Sequence, residues 1–190
     1  MKAKDRAHHT AIEHAVRNIL AVLEVDRDSD TYRDTPTRVA TMVLELLSGM
    51  DRENEPKLTL FKNSGYRDIL ILKKIPFYSI CAHHLLPMFG DVSIAYIPGT
   101  KIVGLSKLPR IVKYFASRLQ VQEGFTRELA DFLHKKLKAM GVLVVVKARH
   151  LCLEMRGARA GNVETVSSAV RGIFETSVPT REEALRLLTS

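Results

Sequence analysis

A cysteine and two histidines stand together in Cys81-Ala82-His83-His84. A thiolate and an imidazole three residues apart can converge on one ion from a single turn, and cysteine with histidine is a zinc-type ligand set. A free cysteine is more often a small core residue, but two adjacent histidines weigh against pure packing. The other cysteine lies in His150-Leu151-Cys152, at the end of a β-branched run. On an extended backbone His150 and Cys152 point the same way. One site could then take Cys81, one histidine and Cys152, with a fourth position open, the arrangement of a catalytic rather than a structural zinc. The remaining histidines would be free for proton transfer beside it. Two unrelated buried cysteines are the plain alternative, and composition does not choose between them.

Three further clusters carry polar chemistry. In Gln120-Val121-Gln122-Glu123 a carboxylate can accept the paired donors of a guanine edge, although an ordinary polar connection between elements is the simpler reading in isolation. Gly104-Leu105-Ser106-Lys107-Leu108-Pro109-Arg110 sets a hydroxyl and two cations at a helix start, a seat for polyphosphate. Arg156 follows Cys152 by four residues in Met155-Arg156-Gly157.

The elements that must position these residues are legible in outline. Residues 7–24 carry apolar positions at helical spacing, and a second helix is predicted to start near Asp34-Thr35-Pro36 and end at Gly49. Together they predict an N-terminal helical hairpin. Ile69–Leu72 and Val92–Ile97 read as strands. Ser106 and Thr126 are the expected caps of two further helices, the second ending at Gly141. Val142–Val146 reads as a buried strand, 163–171 as a last strand, and Thr180-Arg181-Glu182-Glu183 as a capping box before a terminal helix. The order predicts an α+β fold, with an N-terminal helical extension over 1–65 and a catalytic domain over 66–190.

Composition bounds the function. The 190 residues suit one domain with a helical extension, and 46% apolar with 26% charged residues is ordinary for a globular protein. The apolar runs are far short of the ~20 residues a membrane helix needs. Met1-Lys2-Ala3-Lys4-Asp5-Arg6 has no apolar segment behind it, so no secretory leader is expected. Two cysteines exclude a disulfide scaffold, and a cytoplasmic location is expected. The net charge of +8 favours anionic partners, but the basic residues are scattered and aromatics are only 6%, with no Trp. A phosphate-rich small molecule fits this pattern better than nucleic acid.

In combination the motifs are recognisable. The chain resembles the GTP cyclohydrolase I family through Asp34–Ala40, Phe77–Pro87, Val92–Gly99, Gly104–Leu108, Arg118–Glu123, His150–Cys152, Met155–Gly157, Thr165–Ala169 and the Arg181 stretch, in order over nearly all of 11–188. The resemblance implies a tunnelling fold, an antiparallel sheet with two helices on one face, assembled into a ring. Two pentamers stacked as a homodecamer, with sites between subunits, are the family's usual form. It implies Zn2+ held by Cys81, His84 and Cys152, with His83 and His150 as catalytic histidines. Glu123 and Gln122 would anchor guanine. Ser106, Lys107, Arg110, Arg156 and a neighbouring subunit's Arg38 would surround the ribose and triphosphate. The implied reaction is hydrolytic attack at C8 of GTP, opening of the imidazole ring, loss of formate and closure to 7,8-dihydroneopterin triphosphate.

The sequence departs from the family where its motif reads Cys-Glu-His-His and Ala82 stands here, where many relatives carry a lysine and Thr41 stands here, and at Gly124-Phe125. A missing glutamate beside the metal would slow later proton transfers more than the first attack. The alternatives are therefore a paralogue making a formamidopyrimidine or 8-oxo-GTP, a non-catalytic nucleotide-binding ring, and a zinc-free relative of the same fold that uses a nucleophilic cysteine.

Overall fold

The computed structural model describes residues 3–189; Met1-Lys2, at the charged start, lie outside them. Two compact units divide the chain, one up to Ser48 and one from Gly49 onward. In chain order the elements are α1 (Ala3–Val22), α2 (Asp30–Leu46), β1 (Leu60–Lys62), β2 (Leu70–Cys81), β3 (Pro87–Ile97), β4 (Lys101–Val103), α3 (Lys107–Ala116), β5 (Leu119–Gln120), α4 (Gln122–Leu137), β6 (Gly141–His150), α5 (Leu151–Glu154), β7 (Thr165–Gly172), α6 (Ile173–Thr176) and α7 (Val178–Thr189).

The first unit is the expected helical hairpin, with corrected ends. α1 stops at Val22, and Glu24 takes a left-handed backbone just beyond it. α2 begins a turn before the expected Asp34-Thr35-Pro36, because the Ser29 hydroxyl accepts the Tyr32 N–H at 3.2 Å and caps the helix there. Pro36 then lies inside the helix, where its missing N–H forfeits only the bond to the Tyr32 carbonyl. Thr37 donates to Glu13, and His9 Nε2 meets Thr41 Oγ1 at 3.0 Å, so polar contacts join the two helices.

Gly49 does not close α2. It sits in a short 3-10 turn, Ser48–Met50, where a Cβ would come 2.0 Å from the Tyr114 carbonyl oxygen. Close approach, not a helix cap, requires glycine there.

The second unit is an α+β arrangement around a five-stranded sheet of order β5-β2-β3-β6-β7. The pairs β2–β3, β3–β6 and β6–β7 are antiparallel, and only the short β5 runs parallel to β2. β1 and β4 form a separate antiparallel pair. Alternation sorts the sheet into two faces. Val92, Ile94 and Tyr96 of β3 and Val142, Val144 and Val146 of β6 belong to the large core, where α3 and α4 pack. Ala95, Ile97 and Leu143 point the other way and bury Phe174 of α6 and Ala184 of α7. The helices expected on one face are present, and the C-terminal helices cover part of the other.

One irregularity decides where the chemistry can sit. The apolar pattern marks a strand only over 69–72, yet β2 continues to Cys81 through Lys73-Lys74. The register against β3 shifts between Leu72 and Ile75, and Lys74 adopts a left-handed φ of 56°. This bulge inserts a residue and reverses the parity of the strand beyond it. Leu70 and Leu72 before it, and Ile75, Phe77, Ser79 and Cys81 after it, all face α3 and α4. Without the bulge Cys81 would point to the opposite face.

Several expected helix ends are also displaced. Ser106 takes a helical backbone and makes no capping bond. Thr126 lies inside α4, not before it, and its hydroxyl donates to the Gln122 carbonyl at 2.7 Å. Lys138, left-handed at φ 47°, closes α4 in place of Gly141. Gly141 starts β6, where a Cβ would come 2.8 Å from Ile173 Cγ2. The terminal helix starts ahead of Thr180, whose N–H reaches the Ser177 hydroxyl at 3.4 Å.

Candidate active site

Cys81 ends β2 and Pro87 starts β3, so the residues between them form a hairpin turn. The Cys81 N–H donates to the Leu86 carbonyl at 2.9 Å, and the Leu85 N–H returns to the Cys81 carbonyl at 2.9 Å. The Ala82 N–H donates to the Gln120 carbonyl at 3.1 Å, which ties this turn to β5 and the start of α4. The turn holds His83 and His84 exposed, their rings edge to face with centroids 6.3 Å apart. Ala82 is exposed in the same turn.

The second cysteine arrives differently from the extended pair that the sequence suggested. β6 ends at His150, and the chain then coils into the single helical turn α5, which carries Cys152. Strand end and helical turn nevertheless deliver both side chains to one cleft. The donor atoms of Cys81, His84 and Cys152 all lie within 4.8 Å of one another. The two sulfurs are 3.8 Å apart. Two thiolates, each ~2.3 Å from one tetrahedral zinc, stand about 3.8 Å apart, so this donor set fits the ion. Burial and the neighbouring Cys81 sulfur push the Cys152 thiol above its usual range, while the positive charge of Arg156 pulls it down.

The cleft has a volume of about 260 Å³ and is lined by Cys81 and Cys152, by His83 and His150, and by Gln122 and Glu123. Glu123 is in the first turn of α4 and exposed. Its charge acts on His150, whose imidazole burial pushes below its usual range while Glu123 raises it. Gln122 is only 2% exposed, and its side chain is fully engaged within the protein. Its Nε2 shares its two hydrogens among the carbonyls of Val146 and Thr165 and Ser167 Oγ, and its Oε1 lies 2.7 Å from His150 Nε2.

The expected phosphate residues do not join this lining. Ser106, Lys107 and Arg110 sit at the start of α3, and Arg156 is exposed just after α5. Arg38 belongs to α2 in the first unit and is held by Asp34 at 3.3 Å. Phe125, one of the departures from the family pattern, is core: it is fully buried against Phe77, with ring centroids 5.1 Å apart.

A sheet end that brings two thiols, two further histidines and a carboxylate into one cleft defines an α+β protein with an open Cys2His metal centre. The family model described as GTP cyclohydrolase I matches residues 12–189. The protein named GTP cyclohydrolase 1 from Aquifex aeolicus is 48% identical over 178 residues, covering 93% of this chain and 95% of that one. Those of the same name from Clostridioides difficile and Carboxydothermus hydrogenoformans are each 46% identical, covering 94% and 93% of this chain and 95% and 93% of theirs. The chain belongs to the GTP cyclohydrolase I family. Its cofactor is zinc, as the donor set and the family together support.

A clamp that sequence reading missed braces the second half of the centre. Arg149 Nε and Nη2 donate to the two carboxylate oxygens of Glu154, at 2.8 and 2.6 Å. The pair closes a loop around His150 and Cys152, and its five-residue spacing fits no helical or strand pattern. Arg149→Met should leave the fold intact and loosen the Cys152 turn. The expected result, read by chelator competition, is zinc affinity lower by about tenfold, the scale of lost support around a metal ligand.

Proposed function

We propose that this protein hydrolyses GTP at C8, opens the imidazole ring with release of formate, and yields 7,8-dihydroneopterin triphosphate. One observation carries the reading: Cys81 and Cys152, whose sulfurs lie within 4.8 Å of a His84 ring nitrogen, line one cleft with His83, His150 and Glu123. Ring opening of a purine needs a nucleophile, a proton donor and a fixed base, and these residues supply all of them in one place. Zinc bound there supplies the Lewis acidity that makes water a nucleophile near neutral pH.

The chain's own groups do the rest. Glu123 accepts from guanine N1–H and the 2-amino group, which orients the base with C8 toward the metal centre. His150 delivers a proton to N7 as C8 is attacked, and to the departing N9 as the C8–N9 bond breaks. His83, exposed on the β2–β3 turn, serves the later proton transfers. Gln122, at the floor of the cleft, backs His150 through its amide oxygen. Lys107, Arg110 and Arg156, with the Ser106 hydroxyl, meet the ribose and triphosphate.

The same reading includes assembly. A cleft of about 260 Å³ is smaller than the ~300–1,000 Å³ that usually encloses a ligand of this size. We infer a ring of tunnelling-fold subunits, two pentamers forming a decamer, in which Arg38 of one subunit completes the phosphate end of another's site. The protein acts in the cytoplasm on a free nucleotide, without nucleic acid or membrane. Among the described residues no helix is long and apolar enough to cross a membrane.

Base recognition tests the assignment. A lost hydrogen bond to a charged group costs on the order of 1.5–3 kcal/mol, so Glu123→Ala should bind GTP at least about tenfold more weakly. The parent should discriminate against ATP, which lacks the paired donors. Competition binding measures both, and equal affinity of the parent for GTP and ATP would refute the guanine contact.

A further inference from the structure

The hydrogen bonds behind His150 fix which end of the Gln122 amide faces it. Thr126 Oγ1 donates to the Gln122 backbone carbonyl at 2.7 Å. A hydroxyl has one proton, so the 2.7 Å contact between Thr126 Oγ1 and Ser167 Oγ must be donated by Ser167. The Ser167 proton is then spent, and its 3.0 Å contact with the Gln122 amide can only be received from an N–H. The carbonyls of Val146 and Thr165, 3.1 and 3.0 Å from the same amide atom, are acceptors only. Three acceptors therefore surround one end of the amide, and that end is the NH2 group. Turning the amide over would set its oxygen against two carbonyl oxygens and a hydroxyl with no proton to give. Gln122 and Thr126 are 2% and 1% exposed, so such a clash would be buried.

The amide oxygen is thereby fixed toward His150 Nε2, 2.7 Å away. An amide oxygen accepts and never donates, so Nε2 bears the hydrogen, and a neutral imidazole has only one. We propose that Gln122, locked by Ser167 and Thr126, is a positioning residue that holds His150 in its Nε2–H tautomer and makes Nδ1 the nitrogen through which it exchanges protons. The functional part of this inference rests on the reading of His150 as the proton-transfer residue. The network spans α4, β6 and β7, so it also fixes the plane of the ring. Gln122 thus serves the reaction through His150 and not through contact with the base.

The test is solid-state nitrogen NMR of the zinc-loaded protein labelled with 15N only in histidine, above the ring's pKa, with His150→Phe identifying the His150 signals. The expected spectrum has a pyrrole-type Nε2 and a pyridine-type Nδ1 for His150. A proton on Nδ1 in the parent overturns the proposal, and this needs no variant. Gln122→Met, which removes the acceptor at similar length, should release the tautomer to a mixture. Its kcat should fall about tenfold or more, with the GTP KM changed by less than about twofold. A raised KM with unchanged kcat would mean that Gln122 contacts the base, and would overturn the positioning role. Ser167→Ala, a smaller change, should lower kcat several-fold with zinc content unchanged; an unaltered kcat there would remove Ser167 from the lock. If His150→Phe keeps full turnover, the proposed role of His150 in proton transfer fails, while the tautomer is still read directly from the parent.

Discussion

Cys152→Ala is expected to abolish both zinc binding and turnover while the protein stays folded. The residue is half-buried at a helical turn outside the core built by β3, β6, α3 and α4. Removing its sulfur leaves Cys81 and His84, too few donors to hold the ion in competition with solvent. Zinc content should fall from about one per subunit to near zero, as expected for an open three-ligand site. If the ion contributes several kcal/mol to the transition state, say ~4, turnover should drop by roughly 10³-fold. Metal analysis, circular dichroism and a formate assay on the same sample separate these effects. A variant that keeps its zinc would exclude Cys152 as a ligand, and one that unfolds would make the metal structural.

His150→Ala should damage chemistry without touching the metal. Removing a positioned acid–base group lowers turnover by about 10²–10⁴-fold. His150 is not in the donor cluster, so zinc content should match the parent. It lies at the end of β6 opposite Met88 of β3, and the strand pairing around it does not depend on its ring. The expected pattern is a kcat loss with little change in KM, measured by steady-state formate release. Zinc loss in this variant would mean that His150 supports the metal and not the proton transfer.

Cys81 and Cys152 are legible as metal candidates because histidines stand beside both, while the choice of His84 between the adjacent histidines comes from the family resemblance. The α+β order is legible because β-branched runs and helical periodicities are well separated in this chain. The features that escape a sequence reading depend on long-range partners. The bulge at Lys74 that turns Cys81 toward α4 carries no glycine or proline to announce it. Thr126 has the composition of a cap but spends its hydroxyl one turn back, inside a helix that starts with Gln122. Ser29 outcompetes the more conspicuous Asp34-Thr35-Pro36 as a helix start. Gln122 reads as part of a polar connection and, by resemblance, as a guanine contact, yet it is buried by contacts with residues 24 to 45 positions away.

The most direct measurement is the product formed from GTP. Zinc-loaded protein incubated with GTP should consume it, release formate in equal amount, and accumulate a fluorescent pterin on oxidation, with the mass of 7,8-dihydroneopterin triphosphate before oxidation. GTP left unchanged by protein that holds its full complement of zinc would contradict the proposed reaction.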